Sequence, residues 1–83
     1  MQYYVISFVN THGAMATEKY LKKQFKIVIL PTPREISQGC GIAIRFTTED
    51  YDDVLKSLSK FDLDKKMYSI YGFSDGCYTM LEF

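Results

Sequence analysis

Hydrophobic residues along this chain alternate with other side chains in short stretches and recur every three or four positions in two longer ones. Short stretches of alternating or continuous apolar residues predict β-strands. Strands are predicted over residues 2–9, 26–30, 42–46 and 67–73, with an optional fifth over 77–83. The sequence Ser74-Asp75-Gly76 is a hairpin signal, so the fifth strand is expected to pair antiparallel with the fourth.

The two longer stretches predict amphipathic helices. The first helix is expected over about residues 12–24, after Asn10-Thr11, whose side-chain oxygens suit an N-cap. Its apolar side is formed by Ala14, Thr17, Leu21 and Phe25. The run Thr47 to Asp50 places hydroxyls and then carboxylates where a second helix begins. The apolar side of this second helix is formed by Tyr51, Val54, Leu55, Leu58 and Phe61.

The resulting order of strand, helix, strand, strand, helix, strand predicts an α+β fold, the ferredoxin-like split βαβ arrangement, as one domain over residues 1–83. Two right-handed crossovers place both helices on one face of an antiparallel sheet whose first and third strands are central. The other face is left open. Its expected residues are Tyr3, Val5, Ala43, Arg45 and some of the C-terminal aromatics. They are either ordinary half-exposed strand positions or the contact of a homodimer, which could also form by strand addition at a sheet edge.

Composition and charge exclude several classes of function. Ten Lys and Arg balance ten Asp and Glu among 83 residues, so no excess of positive charge favours nucleic acid as a partner. The amino terminus has no basic region and no long apolar run, which argues against a signal peptide and against a membrane span. A cytoplasmic location is therefore expected.

The two cysteines, Cys40 and Cys77, form no CxxC motif and no Cys/His cluster. Neither a disulfide scaffold nor a zinc site of standard spacing is predicted, and no metal or other cofactor is expected. The topology places the two thiols at opposite ends of the sheet, roughly 15–20 Å apart. A disulfide needs Cα atoms within about 7 Å, so no intrachain bridge is expected.

The stretch from Leu30 to Gly41 is not explained by the hydrophobic pattern. Its two prolines and two glycines prevent a helix or strand from running through it. The predicted topology places this loop at the same end of the sheet as the start of the first helix. Arg34 and Cys40 are therefore expected near His12, where free helix N–H groups and cationic side chains favour the thiolate over the thiol.

Support for such a site is expected from Thr11 at the helix start and from the glycines beside the cysteine. Gly39 and Gly41 leave no side chain immediately beside the sulfur and permit a ligand to approach the backbone closely.

Each candidate also has a plainer interpretation. Cys40 fits a small buried residue where a strand begins. Arg34 fits a solvated loop residue or an ion pair with Glu35, rather than an anion clamp. His12 fits a solvated residue in the first helical turn.

A family resemblance rests on the run Pro31-Thr32-Pro33-Arg34-Glu35-Ile36-Ser37, the following Cys40-Gly41, the strand ending in Arg45-Phe46, and Thr11-His12 before the first helix. Over residues 3 to about 73 the chain resembles a small family of bacterial domains described as selenium/sulfur carrier-like. The resemblance implies that Cys40 bears sulfur or selenium as a persulfide or selenosulfide. It also implies two protein partners, a donor resembling a cysteine desulfurase and an acceptor.

Two functions of different kinds follow. One is a thiol carrier that uses Cys40. The alternative is a non-catalytic module that binds a small ligand at the Arg34 loop or a protein through the open sheet face. A stand-alone enzyme is less favoured, because no acid/base constellation accompanies the thiol.

Overall fold

The computed structural model describes residues 2–36, 41–61 and 65–81. The elements follow in the order β1 (Tyr3–Phe8), α1 (Thr11–Leu21), β2 (Val28–Pro31), β3 (Ile42–Thr47), α2 (Tyr51–Lys60), β4 (Tyr68–Ser74) and β5 (Cys77–Leu81). Short 3₁₀ helices precede α2 and β4. This arrangement confirms the predicted α+β, ferredoxin-like fold, including the additional C-terminal strand.

All strand pairs are antiparallel, and the strand order is β2-β3-β1-β4-β5. β1 and β3 are therefore internal strands, as the topology predicted. The hairpin between β4 and β5 also forms where its signal lies. Ser74 pairs with Cys77 across Asp75 and Gly76, whose φ angles are 52° and 77°. Two successive positive φ values are the property of a type I′ turn, whose twist matches that of the flanking strands.

The main core lies between the sheet and both helices. Its buried members are Ile6, Phe8, Ala14, Leu21, Ile44, Phe46, Val54, Leu58, Tyr68 and Ile70. Both helices contribute to this one cluster, so they cover the same sheet face. Full burial of a large apolar side chain contributes about 1.5–3 kcal/mol, which makes this cluster the principal source of stability. Across the described ranges, no helix has the length and apolar character needed to cross a membrane.

The start of α1 agrees with its prediction, whereas its end does not. Asn10 is the N-cap, and its Oδ1 accepts a hydrogen bond from the Gly13 N–H at 2.8 Å. The helix ends at Leu21 instead of near residue 24, because the N–H groups of Gln24 and Phe25 both donate to the Leu21 carbonyl, each at 2.9 Å. This turn lets Phe25 pack against the main core.

The sheet face opposite the helices carries a second, smaller cluster. Val5, Ala43 and Tyr71 are buried there together with Ile36, which belongs to the loop between β2 and β3. The face predicted for Val5 and Ala43 is correct, but their expected exposure is wrong, since both are 0% exposed. Ile36, itself only 3% exposed, packs against them and covers the middle of the sheet face that was expected to be open.

Candidate functional site

The two ends of the β2–β3 loop are held together at one end of the sheet. Pro31 pairs with Ile42 in the ladder, and the Thr32 N–H donates a hydrogen bond to the Gly41 carbonyl at 2.9 Å. Within the loop, the Ile36 N–H donates to the Pro33 carbonyl at 3.0 Å and closes a turn. The loop therefore begins and ends at adjacent points on the sheet.

The start of α1 lies at the same end of the sheet. Ala43 pairs with Leu30 on one side and with Ser7 on the other, so the ends of β2 and β1 flank the beginning of β3. β1 then leads through the Asn10 cap into α1. The expectation that the helix start and the loop share one end of the sheet agrees with this register.

The candidate site residues that the structure describes are exposed. Thr11 and His12 form the first two residues of α1, and Arg34 lies in the loop turn. Over the described parts of the chain, no hydrogen bond or ion pair joins His12 to Arg34. Ile36 directs its part of the loop toward the sheet face opposite α1.

Gly39 and Cys40 lie outside the described residues, so their predicted meeting with Arg34 and His12 stays a prediction. Gly41 is exposed, and a Cβ atom built on it would have no neighbour within 4 Å. Cys77 is a free, exposed thiol at the beginning of β5. Within residues 2–36, 41–61 and 65–81, no group of three or more His, Cys, Asp or Glu side chains could hold a metal ion.

The anchoring role of Ile36 was not predicted. Its signal in the sequence is a single apolar residue in a stretch of polar and turn-forming residues, between Glu35 and Ser37. A buried residue in a loop restricts the positions of its chain neighbours, because moving it exposes apolar surface to water. Ile36 therefore fixes the described half of the loop against the sheet.

An aromatic stack lies beside the Ile36 cluster on the same sheet face. The rings of Tyr3 and Phe73 stack with centroids 4.8 Å apart, and Tyr78 packs on Phe73 at the same centroid distance but tilted by 57°. The Arg45 guanidinium lies over the Tyr3 ring, with Cζ 5.4 Å from its centroid. Phe73 and Arg45 thus both pack on the Tyr3 ring.

The hydroxyl groups of this stack are linked as well. The Tyr3 and Tyr78 oxygens are 3.1 Å apart. Burial, and then the hydrogen bond and charge of Tyr3, raise the pKa of Tyr78 to about 12. Glu35 acts in the same direction and Arg45 in the opposite one, so the charge of the loop residue Glu35 reaches the β5 side chain.

Comparison with known proteins gives one family. The family model described as "Putative Se/S carrier protein-like" matches residues 3–69. An uncharacterized protein of Methanocaldococcus jannaschii, MJ0011, is 36% identical over 59 residues. That alignment covers 71% of this chain and 30% of the relative, so the chain spans less than a third of that protein's length. No solved structure matches. On the extent of the family match, the chain belongs to the Se/S carrier protein-like family.

Proposed function

We propose that this protein carries sulfur or selenium on the Cys40 thiol, as a persulfide or selenosulfide. The observation that supports the proposal is the range of the family match. Residues 3–69 include Cys40 and exclude Cys77, so only one of the two thiols belongs to the part shared with the family. The same range contains Thr11, His12, Arg34, Gly39 and Gly41.

The loading step is a transfer between two sulfur atoms. The Cys40 thiolate attacks the terminal sulfur of a persulfide on the donor protein, and a new S–S bond forms on Cys40. The S–S bond of the donor breaks at the same time, and the donor cysteine leaves as a thiolate. The transferred sulfur keeps its oxidation state, so no external oxidant or reductant is needed. Delivery to an acceptor thiolate repeats the same exchange.

The surrounding residues have a defined part in this proposal. The thiolate is the reactive form of cysteine, and neighbouring cations or helix N–H groups stabilise it. Arg34 and the start of α1 with His12 are the groups that would provide this stabilisation. A reducing compartment such as the cytoplasm is the setting that the proposal requires, because thiols persist there.

Loading by a cysteine desulfurase tests the proposal directly. The protein is incubated with the desulfurase and free cysteine, and intact and peptide masses are recorded under non-reducing conditions. A gain of about 32 Da, one sulfur atom, is expected on Cys40. Cys40→Ser should abolish the gain, and the matched variant Cys77→Ser should keep it. Equal loading of the two thiols, or loading of Cys77 alone, would contradict the proposal.

The reactivity of the thiol gives a second, independent measurement. In Cys77→Ser, the rate of alkylation of Cys40 is expected to rise with pH with a midpoint below the value of about 8.5 for a free cysteine. Arg34→Gln should move the midpoint upward, whereas Arg45→Gln, which removes an arginine from β3 instead of from the loop, should leave it in place. A midpoint at or above that of free cysteine in the parent protein argues against a stabilised thiolate.

The non-catalytic module is distinguished by the same variants. If Cys40→Ser retains every function of the parent protein in cells, the thiol carries nothing and the module is favoured. Loss of function together with loss of loading favours the carrier.

A further inference from the structure

Basic side chains cluster at the end of α1 and acidic ones at the start of α2, although the chain as a whole is neutral. The outer side of α1 and the two residues after it form an open groove of about 400 Å³, lined by His12, Met15, Ala16, Glu18, Lys19, Lys22 and Lys23. The side chain of Met15 in this groove is 60% exposed. In the described part of the chain, Lys22 is paired with Glu18 at 3.5 Å, and no carboxylate pairs with Lys19 or Lys23.

The complementary charge lies at the start of α2. Glu49, Asp52 and Asp53 are exposed there, and none of the ion pairs found among the described residues involves them. These carboxylates stabilise α2, since acidic groups near a helix N-terminus interact favourably with the helix dipole. It also leaves an acidic surface with no basic partner in the same molecule.

The two charged surfaces lie in the same helical layer. Near the end of α1, the Tyr20 hydroxyl donates to the Ser57 carbonyl of α2 at 3.0 Å, and the Tyr20 ring stacks on Phe61 at 4.3 Å. The end of α1 therefore packs beside the last turn of α2. Because both surfaces belong to neighbouring helices of one layer, a two-fold related copy can place its acidic surface on the basic one and its basic surface on the acidic one.

We propose that the groove of α1 is a docking surface for a second copy of this chain, which contributes the acidic start of its α2. The exposed Met15 would be covered in the contact, and Lys19 and Lys23 would face Asp52 and Asp53 of the other molecule. The zero net charge removes the long-range repulsion that keeps highly charged proteins apart. Exposed ion pairs contribute little individually, so the dimer is weak, with Kd on the order of 0.1–1 mM at low salt.

Sedimentation equilibrium at low and high salt tests the association. The Debye length falls from about 30 Å at 0.01 M salt to about 3 Å at 1 M, so the dimer should dissociate as salt is added. A monomer at millimolar concentration in low salt would overturn the proposal. So would a dimer that is insensitive to salt, which would indicate an apolar contact through another surface.

Charge reversal identifies the surfaces. Lys19→Glu with Lys23→Glu, or Asp52→Lys with Asp53→Lys, should each raise Kd at least tenfold, because like charges then face each other. An equimolar mixture of the two double variants should dimerise again, since both contacts of the mixed dimer are then complementary. Failure of the mixture to dimerise would overturn the proposal.

A matched control separates this contact from general attraction between oppositely charged proteins. Lys56→Glu with Lys60→Glu has the same net charge as the α1 variant but alters exposed positions on α2. This control should not pair with the Asp52→Lys, Asp53→Lys variant more tightly than the parent chain does. Pairing as tight as that of the Lys19→Glu, Lys23→Glu variant would overturn the assignment to α1. Circular dichroism verifies folding, and Glu49→Lys, placed outside α2, replaces the acidic double variant if that variant unfolds.

Discussion

Two side-chain hydroxyl groups are buried in an otherwise apolar interior, and their burial lowers the stability of the fold. Ser7 and Thr17 are 0% exposed, and their oxygens have no hydrogen-bond partner among the described residues. A buried polar group without a partner loses its hydration without compensation, at a cost of about 1–3 kcal/mol. Thr17 lies on the side of α1 that faces the core, next to neither end of the helix.

Thr17→Val is therefore expected to stabilise the protein by about 1 kcal/mol, because it replaces the hydroxyl by a methyl group of similar size. Helix propensity changes little, since Thr and Val rank together. Urea unfolding measures the difference, with the exposed Thr79→Val as the control that should stay within about 0.5 kcal/mol of the parent. A lower stability of Thr17→Val would mean that water or a neighbouring group satisfies the hydroxyl.

The raised pKa of Tyr78 predicts a loss of stability in alkali. Its folded pKa of about 12 exceeds the ordinary value of 10.0, so folding favours the protonated phenol. The stabilisation is complete below pH 10 and disappears as the pH rises from 10 through 12. Absorbance at 295 nm should show a titration step near pH 12 that loses one tyrosine in Tyr78→Phe and shifts downward in Tyr3→Phe, besides the contribution of Tyr68, whose pKa burial also raises. Titration of Tyr78 near pH 10 in the parent protein would disprove the partly buried, hydrogen-bonded phenol.

At the scale of elements, alternation along the strands predicted which residues share a face, because side chains of a strand point to its two sides in turn. The faces of β1 and the turn at Asp75-Gly76 followed from this local chemistry. The end of α1 did not, since two N–H groups share the Leu21 carbonyl and a tertiary contact of Phe25 favours the turn. The covering of Val5 and Ala43 by Ile36 depends on where a loop folds back, which no local periodicity encodes.

The candidate site was likewise predictable from the sequence only in part. The location of the α1 start and the β2–β3 loop at the same end of the sheet followed from strand order alone, because β1 and β2 both flank β3 and run toward the same end. The direction of the loop side chains did not follow, since it depends on how Ile36 packs on the sheet face away from α1.

The β2–β3 loop is predicted to depend on Ile36 for its position. Ile36→Ala should destabilise the protein by about 2–4 kcal/mol, because it removes a 3% exposed side chain from the cluster with Val5, Ala43 and Tyr71. Chemical unfolding gives the value. Ile29→Ala is the matched control, and its smaller effect is expected because Ile29 on β2 is 47% exposed. Equal losses in the two variants would show that Ile36 does not anchor the loop.

At the scale of the whole molecule, β5 is an addition that lies beyond the family match. It is the edge strand beside β4, and it contributes Tyr78 to the aromatic stack and Leu81 to the margin of the main core. A domain of this size has little stability to spare, because small domains bury a smaller fraction of their surface.

A chain that ends at Ser74 is therefore expected to unfold at a lower denaturant concentration and to aggregate more readily, since β4 becomes an exposed edge. Thermal unfolding with light scattering measures both effects. The full chain with Thr79→Lys, a charge on an exposed position of the same strand, should behave like the parent. If the shortened chain has an unchanged midpoint, β5 is dispensable for folding.

The hydrogen bond between the Thr32 amide and the Gly41 carbonyl lets the β2–β3 loop vary in length. It closes the loop next to the Pro31–Ile42 pair, so the register of the two strands is set before the chain departs from the sheet. The entropy of closing a loop grows only slowly with its length, by about 0.6 kcal/mol for each doubling. Related chains can therefore lengthen this loop during evolution, and a designer can insert residues after Ile36, while Ile36 stays packed on the sheet and the sheet keeps its pairing.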